Sequence, residues 1–383
     1  MQITLVTIAV LFISQAFSAP TATGTSTGTL TKDGLAPQVS PHFKNLHVSS
    51  DALYSYNTGI LNVSDTLSKA TLNLTNYPEP WSSPDITHPE IDAAVKAINW
   101  NLVPKISVRK SNLDTSRYDD AKDTDCWWTS SGCLKPKVSY LPKDISFCPR
   151  KGEWGLTYDD GPFNFYDNDE KEAKTENKYA EPQLYNYLAK QNLKSTLFYI
   201  GSNVANYPAA ARRALSDGHY LCVHTWSHPV MTAQSNEKAV AELYWTLKAI
   251  KEATGVTPKC WRPPQGDVDD RIRSIAWQMG LRTVIWDRDT KDWDMPAPGG
   301  GKLSPTKVDK KFEQWIKEET NMTHGSIVLE HELNHATVEM TEKWIPELKK
   351  TFKIVPALAC NDITKPYWET GFEYPSIHNT IAN

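Results

Sequence analysis

From residue 154 to residue 355 the chain alternates short apolar, β-prone runs with stretches whose apolar residues recur at helical spacing. The runs cover residues 154–158, 195–200, 219–223, 260–261, 282–286, 326–330 and 353–355. Between them, one helix is expected to open at Pro182, with Leu184, Tyr187 and Leu188 on one face. A second starts at Pro208 and stops at Gly218. A third spans residues 236–255, with Val240, Leu243, Tyr244, Leu247 and Ile250 in register, and Ser304-Pro305 opens a fourth around Val308, Phe312, Trp315 and Ile316. Strands separated by helices pair in parallel, so seven of them predict an α/β fold whose sheet is closed or nearly closed.

Polar residues gather where these runs end, which is where such barrels keep their chemistry. Leu156-Thr157-Tyr158 leads into Asp159-Asp160-Gly161-Pro162. Asp before Gly-Pro is ordinary turn chemistry, but two adjacent carboxylates repel and add nothing to a strand. The next groups are His224-Thr225-Trp226-Ser227-His228, Arg262-Pro263-Pro264-Gln265-Gly266-Asp267, Asp289-Thr290-Lys291-Asp292-Trp293 and Leu329-Glu330-His331. A spacing of four on a helical turn would bring His224 and His228 to one face. Two imidazoles and a carboxylate leave room at a cation for water, the arrangement of a hydrolytic metal centre.

This ordered set resembles the five motifs of the polysaccharide deacetylases of the NodB-homology type (carbohydrate esterase family 4), and within them the fungal chitin deacetylases. The likeness covers about residues 152–356 and reaches back to Cys126-Trp127-Trp128. It implies a distorted (β/α) barrel, often seven-stranded, here preceded by an irregular N-terminal extension. Its metal ligands would be Asp160, His224 and His228, holding zinc, with cobalt as an alternative. Asp159 would be the general base, oriented by Arg262, and His331 the general acid, oriented by Asp292. Substrate would meet the Gln265 N–H as an oxyanion donor, Trp293 as a groove wall and Leu329 at the acetyl methyl. The family usually carries Tyr where this chain has Gln265, which leaves one groove wall undefined. The implied reaction removes acetyl groups from N-acetylglucosamine units of chitin; peptidoglycan and xylan deacetylases share the machinery.

The rest of the sequence frames that reading. At 383 residues and 40% hydrophobic content, the chain can build one large domain with an appendage. A formal charge of −4 supplies no basic field, so nucleic acid is not an expected partner. Residues 3–13 form a short apolar segment followed by Ala16-Phe17-Ser18, read as a signal peptide over residues 1–18, and no hydrophobic tail suggests a membrane anchor. A secreted, extracellular or cell-wall protein is therefore expected. Sequons begin at Asn62, Asn73 and Asn321. Residues 19–147 divide into a Ser/Thr/Gly-rich linker and the extension, with helical spacing from Ile91 to Trp100 and a possible strand at Ile106-Ser107-Val108. The deacetylase-like domain spans 148–360, and residues 361–383 form a tail.

Six cysteines allow fifteen disulfide connectivities. Cys126 and Cys133 bracket a short loop, Cys148 and Cys360 flank the domain, and this leaves Cys222 with Cys260. A rival motif lies at the same place: His331-Glu332-Leu333-Asn334-His335 satisfies H-E-x-x-H, the signature of a zinc metalloprotease when it lies on a helix. A sugar-binding relic without turnover is the third alternative, against which stands the complete set of polar motif residues.

Overall fold

The computed structural model describes residues 40–43, 46–48, 52, 67–163, 182–297 and 299–378. The signal peptide, the linker and the Asn62 sequon lie outside the described residues, as does the end of the tail.

Among the described residues, nine strands form one sheet: β1 (Phe147–Cys148), β2 (Glu153–Asp159), β3 (Thr196–Tyr199), β4 (Tyr220–Val223), β5 (Cys260–Trp261), β6 (Arg282–Thr283), β7 (Arg288–Asp289), β8 (Gly325–His331) and β9 (Lys353–Pro356). All pairings are parallel except that of β1 with β8. The curled order β8-β2-β3-β4-β5-β6 is what strand-helix alternation dictates. The run expected at residues 282–286 is strand only at its start, as β6, and a second short strand, β7, follows beyond its end. β6 pairs with β5, and six residues after its first residue the chain has become β7 and pairs with β8. One bent segment thus joins the two sides of the curl, and the parallel bridge between Ile145 and Val284 stitches β1's approach to it.

β2 lies at the centre, buried along its whole length. One edge of it is covered by β8, whose register sets Asp159 opposite His331. Its other edge is divided between β9 at the start and β3 at the end. Burial on all sides explains why this run lacks the polar alternation of a half-exposed strand.

The helices follow their local signals. Ser235 caps the long Asn236–Thr254 helix by accepting from Lys238 N–H, and Gly255 ends it at φ 88°. The Pro305–Glu318 helix buries Val308, Phe312 and Trp315; Phe312 stacks with Trp154 and Trp344, and Trp315 meets Trp154 at a tilt.

The extension is a clasp on the sheet's flank. Its expected helix is present as Pro89–Ala97, held by a buried set in which Glu90 accepts from Lys248 Nζ at 2.8 Å and from Tyr244 Oη. The expected strand at Ile106-Ser107-Val108 is absent. That segment has no ladder partner and Val108 is exposed, because alternation alone gives a strand no edge to pair with. Further on, Trp127 and Thr129 both donate to Asp267 Oδ1, at 2.8 and 2.7 Å, fastening the extension to the third motif loop. Residues 361–378 also pack rather than trail: Tyr367, Phe372 and Tyr374 are buried, and Tyr374 Oη donates to the His219 carbonyl.

Disulfides join Cys126 to Cys133, Cys148 to Cys360 and Cys222 to Cys260. The last links the ends of adjacent strands β4 and β5, two residues before His224 and Arg262. The sequon residues Asn73 and Asn321 are both exposed. No helix among the described residues is long and apolar enough to cross a membrane.

Candidate active site

All five polar groups converge at the rim formed by the C-terminal ends of β2, β4, β5, β7 and β8. Thr157 and Asp159, two apart on β2, face the same side of the strand, where Arg262 reaches both. Arg262 Nη1 lies 2.6 Å from Asp159 Oδ1 and 2.9 Å from Thr157 Oγ1, while Nη2 donates to the Ile285 carbonyl. The guanidinium also covers the Phe198 ring at 3.9 Å. Burial raises the Asp159 pKa to about 6, against the opposing pull of Arg262 and His331. The arginine therefore keeps a deeply buried carboxylate available as an acceptor near neutrality.

Asp160 turns away from the strand at φ 77°, a region that costs any residue with a Cβ. Its Oδ1 is buried and accepts no hydrogen bond. The Nε2 atoms of His224 and His228 each stand 3.5 Å from it, and one ligand atom from each of the three residues lies within 4.8 Å of the others. Two donors bound tetrahedrally at zinc distances stand about 3.3 Å apart, so the orphaned oxygen and the two imidazoles fit a shared cation. His224 Nδ1 is engaged by the Arg262 carbonyl at 2.8 Å, which leaves Nε2 for the cation side. Burial, followed by the neighbouring His228, holds His224 well below the usual imidazole pKa, so it is neutral and able to ligate.

The two histidines do not sit on a helical turn, as their spacing led us to expect. Residues 224–228 form a bent loop in which Thr225 and His228 have positive φ, at 68° and 55°. A helical turn is not needed because the loop is held from outside. Glu242, fully buried on the long helix, accepts from the Trp226 and Ser227 N–H groups at 2.9 and 2.8 Å and from Ser227 Oγ at 2.6 Å. Sequence reasoning missed Glu242; the available signal was a single carboxylate within the apolar stretch 239–247. Glu242→Ala is expected to lower metal affinity roughly 10- to 100-fold while leaving all three ligands in place. Titration of metal into apo-protein, followed by calorimetry, checks this; unchanged affinity would reduce Glu242 to a packing residue.

Across the rim, His331 Nδ1 is 2.6 Å from Asp292 Oδ1, and the His331 N–H donates to Asp292 Oδ2 at 2.8 Å. Asp292 is itself fixed by Thr290 Oγ1 and the Trp293 N–H. Burial alone would lower the His331 pKa, but Asp292, helped by Asp160 and Asp159, outweighs it and raises the value to about 10. Asp292 thus favours the protonated form of His331. Trp293 is 46% exposed on the surface next to it, and Leu329 is buried on β8 opposite Thr157. Gln265 occupies a tight turn at φ 58° with its side chain exposed.

The H-E-x-x-H reading is overturned. His331 ends β8, Asn334 is the N-cap of the next helix and His335 its first residue, so the two histidines share no helical face. Glu332 points away to Tyr185 Oη, which donates to it at 2.6 Å. His219 is a buried acceptor for the Ser195 N–H.

A buried carboxylate and an aspartate-paired histidine, both on the rim that carries a candidate cation site, are the layout of a hydrolase that attacks an amide or ester carbonyl. Residues 147–284 match the family model described as polysaccharide deacetylase. A chitin deacetylase of Amylomyces rouxii is 40% identical over 81% of this chain and 71% of its own length. Chitin deacetylase 2 of Cryptococcus neoformans is 42% identical over 69% of this chain, which spans 55% of that relative. Among solved structures, the chitin deacetylase of Colletotrichum lindemuthianum aligns with 57% of this chain and 92% of its own, at 26% identity and a TM-score of 0.48. The chain belongs to the polysaccharide deacetylase family, alongside these fungal members.

Proposed function

We propose that the protein is a secreted, metal-dependent chitin deacetylase that hydrolyses the N-acetyl groups of N-acetylglucosamine units, giving chitosan and acetate. The observation that carries this is the Asp160-His224-His228 cluster on the same rim as the Arg262-bound Asp159 and the Asp292-bound His331. Residues 148–360 form the catalytic domain in this reading. The curated relatives named above support chitin over peptidoglycan or xylan. The apolar segment at residues 3–13, the exposed sequon residues Asn73 and Asn321 and the three disulfides support secretion.

A zinc or cobalt ion held by Asp160, His224 and His228 would acidify water and polarise the acetamide carbonyl. Asp159 takes the proton from the attacking water, and Arg262 keeps that carboxylate ionised and aimed. The Gln265 N–H donates to the oxygen of the tetrahedral adduct as its charge develops. His331, cationic through Asp292, protonates the amine nitrogen as the C–N bond breaks. Leu329 packs at the acetyl methyl and Trp293 lines the groove.

The test is acetate release from chitin oligomers of defined length, before and after a chelator and again after metal is restored. Release that stops with the chelator and returns with zinc or cobalt is expected. Greater kcat/KM on acetylated xylan or peptidoglycan would reassign the polymer, and release indifferent to the chelator would remove the metal from the mechanism.

A further inference from the structure

We propose that Trp128, supplied by the N-terminal extension, is a substrate-stacking residue that with Trp286 grips a sugar unit flanking the one being deacetylated. The inference rests on the deacetylase reading and names which part of the chain sets its preference for chain length.

Two adjacent tryptophans of the extension have opposite situations. Trp127 is buried and fully employed: its Nε1 donates to Asp267 and the Arg109 guanidinium covers its ring at 4.0 Å. Trp128 is only half-buried, although it belongs to the same short helix cap and the same disulfide loop. Its six-membered ring lies against Gly266, where an added Cβ would come within 2.2 Å of Cζ3. That glycine follows Gln265, so the indole sits one residue from the proposed oxyanion donor. Trp128 also meets Trp286 edge to face at 5.0 Å, and Trp286 in turn lies over Arg262, which holds Asp159. A pair of half-exposed indoles therefore continues the rim directly from the reacting centre.

The support beneath Trp128 is rigid. The Trp128 N–H donates to the Val268 carbonyl, Thr129 is tied to Asp267, and Arg273 donates to the carbonyls of both Cys126 and Cys133. Such fixing places an aromatic edge with little entropy left to lose on binding. The occupant that suits it is a pyranose ring, whose C–H face is apolar while its rim is polar, as is expected of an N-acetylglucosamine unit.

The experiment compares wild type, Trp128→Ala, Trp128→Phe and, as a structural control, Trp127→Phe in the full chain, on chitin dimer through hexamer. Trp128→Ala is expected to lose about tenfold in kcat/KM on hexamer, carried by KM, and within about twofold on dimer, with Trp128→Phe regaining most of it. Trp127→Phe should lower the melting temperature and show no dependence on chain length. A loss for Trp128→Ala that is equal at every length, falls on kcat alone or is absent overturns the proposal. Should Trp128→Ala fail to fold, Trp128→Leu, which keeps apolar bulk without an aromatic face, is read against wild type by the same criteria. If wild type released no acetate from any oligomer, the deacetylase reading would fail by itself. Hexamer binding by calorimetry would then decide the stacking role: about tenfold weaker binding in Trp128→Ala supports it, and unchanged binding removes it.

Discussion

Asp159→Asn is expected to keep its metal and to lose turnover by roughly 10² to 10⁴, whereas Asp160→Asn is expected to lose metal and activity together. In the proposed mechanism the two carboxylates are neighbours in sequence but differ in role. Asp159 continues β2 and points to Arg262, while Asp160 has turned out at φ 77° toward His224 and His228. Replacing Asp159 leaves Arg262 buried without its counter-charge, so a lower melting temperature is also expected, since removing one partner of a buried pair commonly costs about 3 to 5 kcal/mol. Asn retains an acceptor oxygen and should soften that cost. Elemental analysis of purified variants beside acetate release checks both halves. An Asp159→Asn protein without metal would mean that both carboxylates ligate and that the base lies elsewhere.

His331→Ala should retain metal and lose roughly 10² to 10⁴ in kcat, because it deprives the departing amine of its proton and the cation of nothing. The finer test is Asp292→Asn. Burial pushes the His331 pKa down and Asp292 pushes it up, with the second prevailing at about 10. A general acid works only while protonated, so the rate falls as pH rises through its pKa. Removing the Asp292 charge lowers that pKa and must move the alkaline limb of the kcat profile to lower pH. A cation near Asp160 would offset the pull of the two rim carboxylates, leaving Asp292 as the dominant cause. A pH profile of kcat for wild type and Asp292→Asn decides it. A limb that stays in place would mean His331 is not the acid.

Much of this site was legible because its residues stand at the ends of apolar runs, where a polar group has no part in forming the strand. Asp159, Arg262 and His331 could be read that way, and so could the strands and helices that carry them. What escaped was whatever acts across distance in sequence. Glu242 reaches a loop 15 residues before it, and Asp267 receives Trp127 from 140 residues away. Local pattern carries no trace of either pairing. The helical turn assigned to residues 224–228 failed for a related reason: spacing of four is satisfied by any bend that returns the chain, and here Glu242 and positive φ angles make the bend. Ile106-Ser107-Val108 looked like a strand because β-propensity describes a residue's taste, while a strand also needs a neighbour. The strand β7 was likewise invisible, since Arg288-Asp289 carries no apolar residue to mark it.

Asp160, Thr225, His228, Gln265 and Lys291 all adopt left-handed backbone angles, one or more in each of the loops after β2, β4, β5 and β7. Each such residue costs of order 1 kcal/mol that a glycine would not. The chain therefore carries its chemistry as a standing load on its own stability. Under relaxed selection, drift to glycine at Asp160 or His228 would make the protein harder to melt as it ceased to turn over. In a population of descendants, the inactive ones would be the most robust, and persistence of non-glycine residues at these positions would itself record continued use of the enzyme.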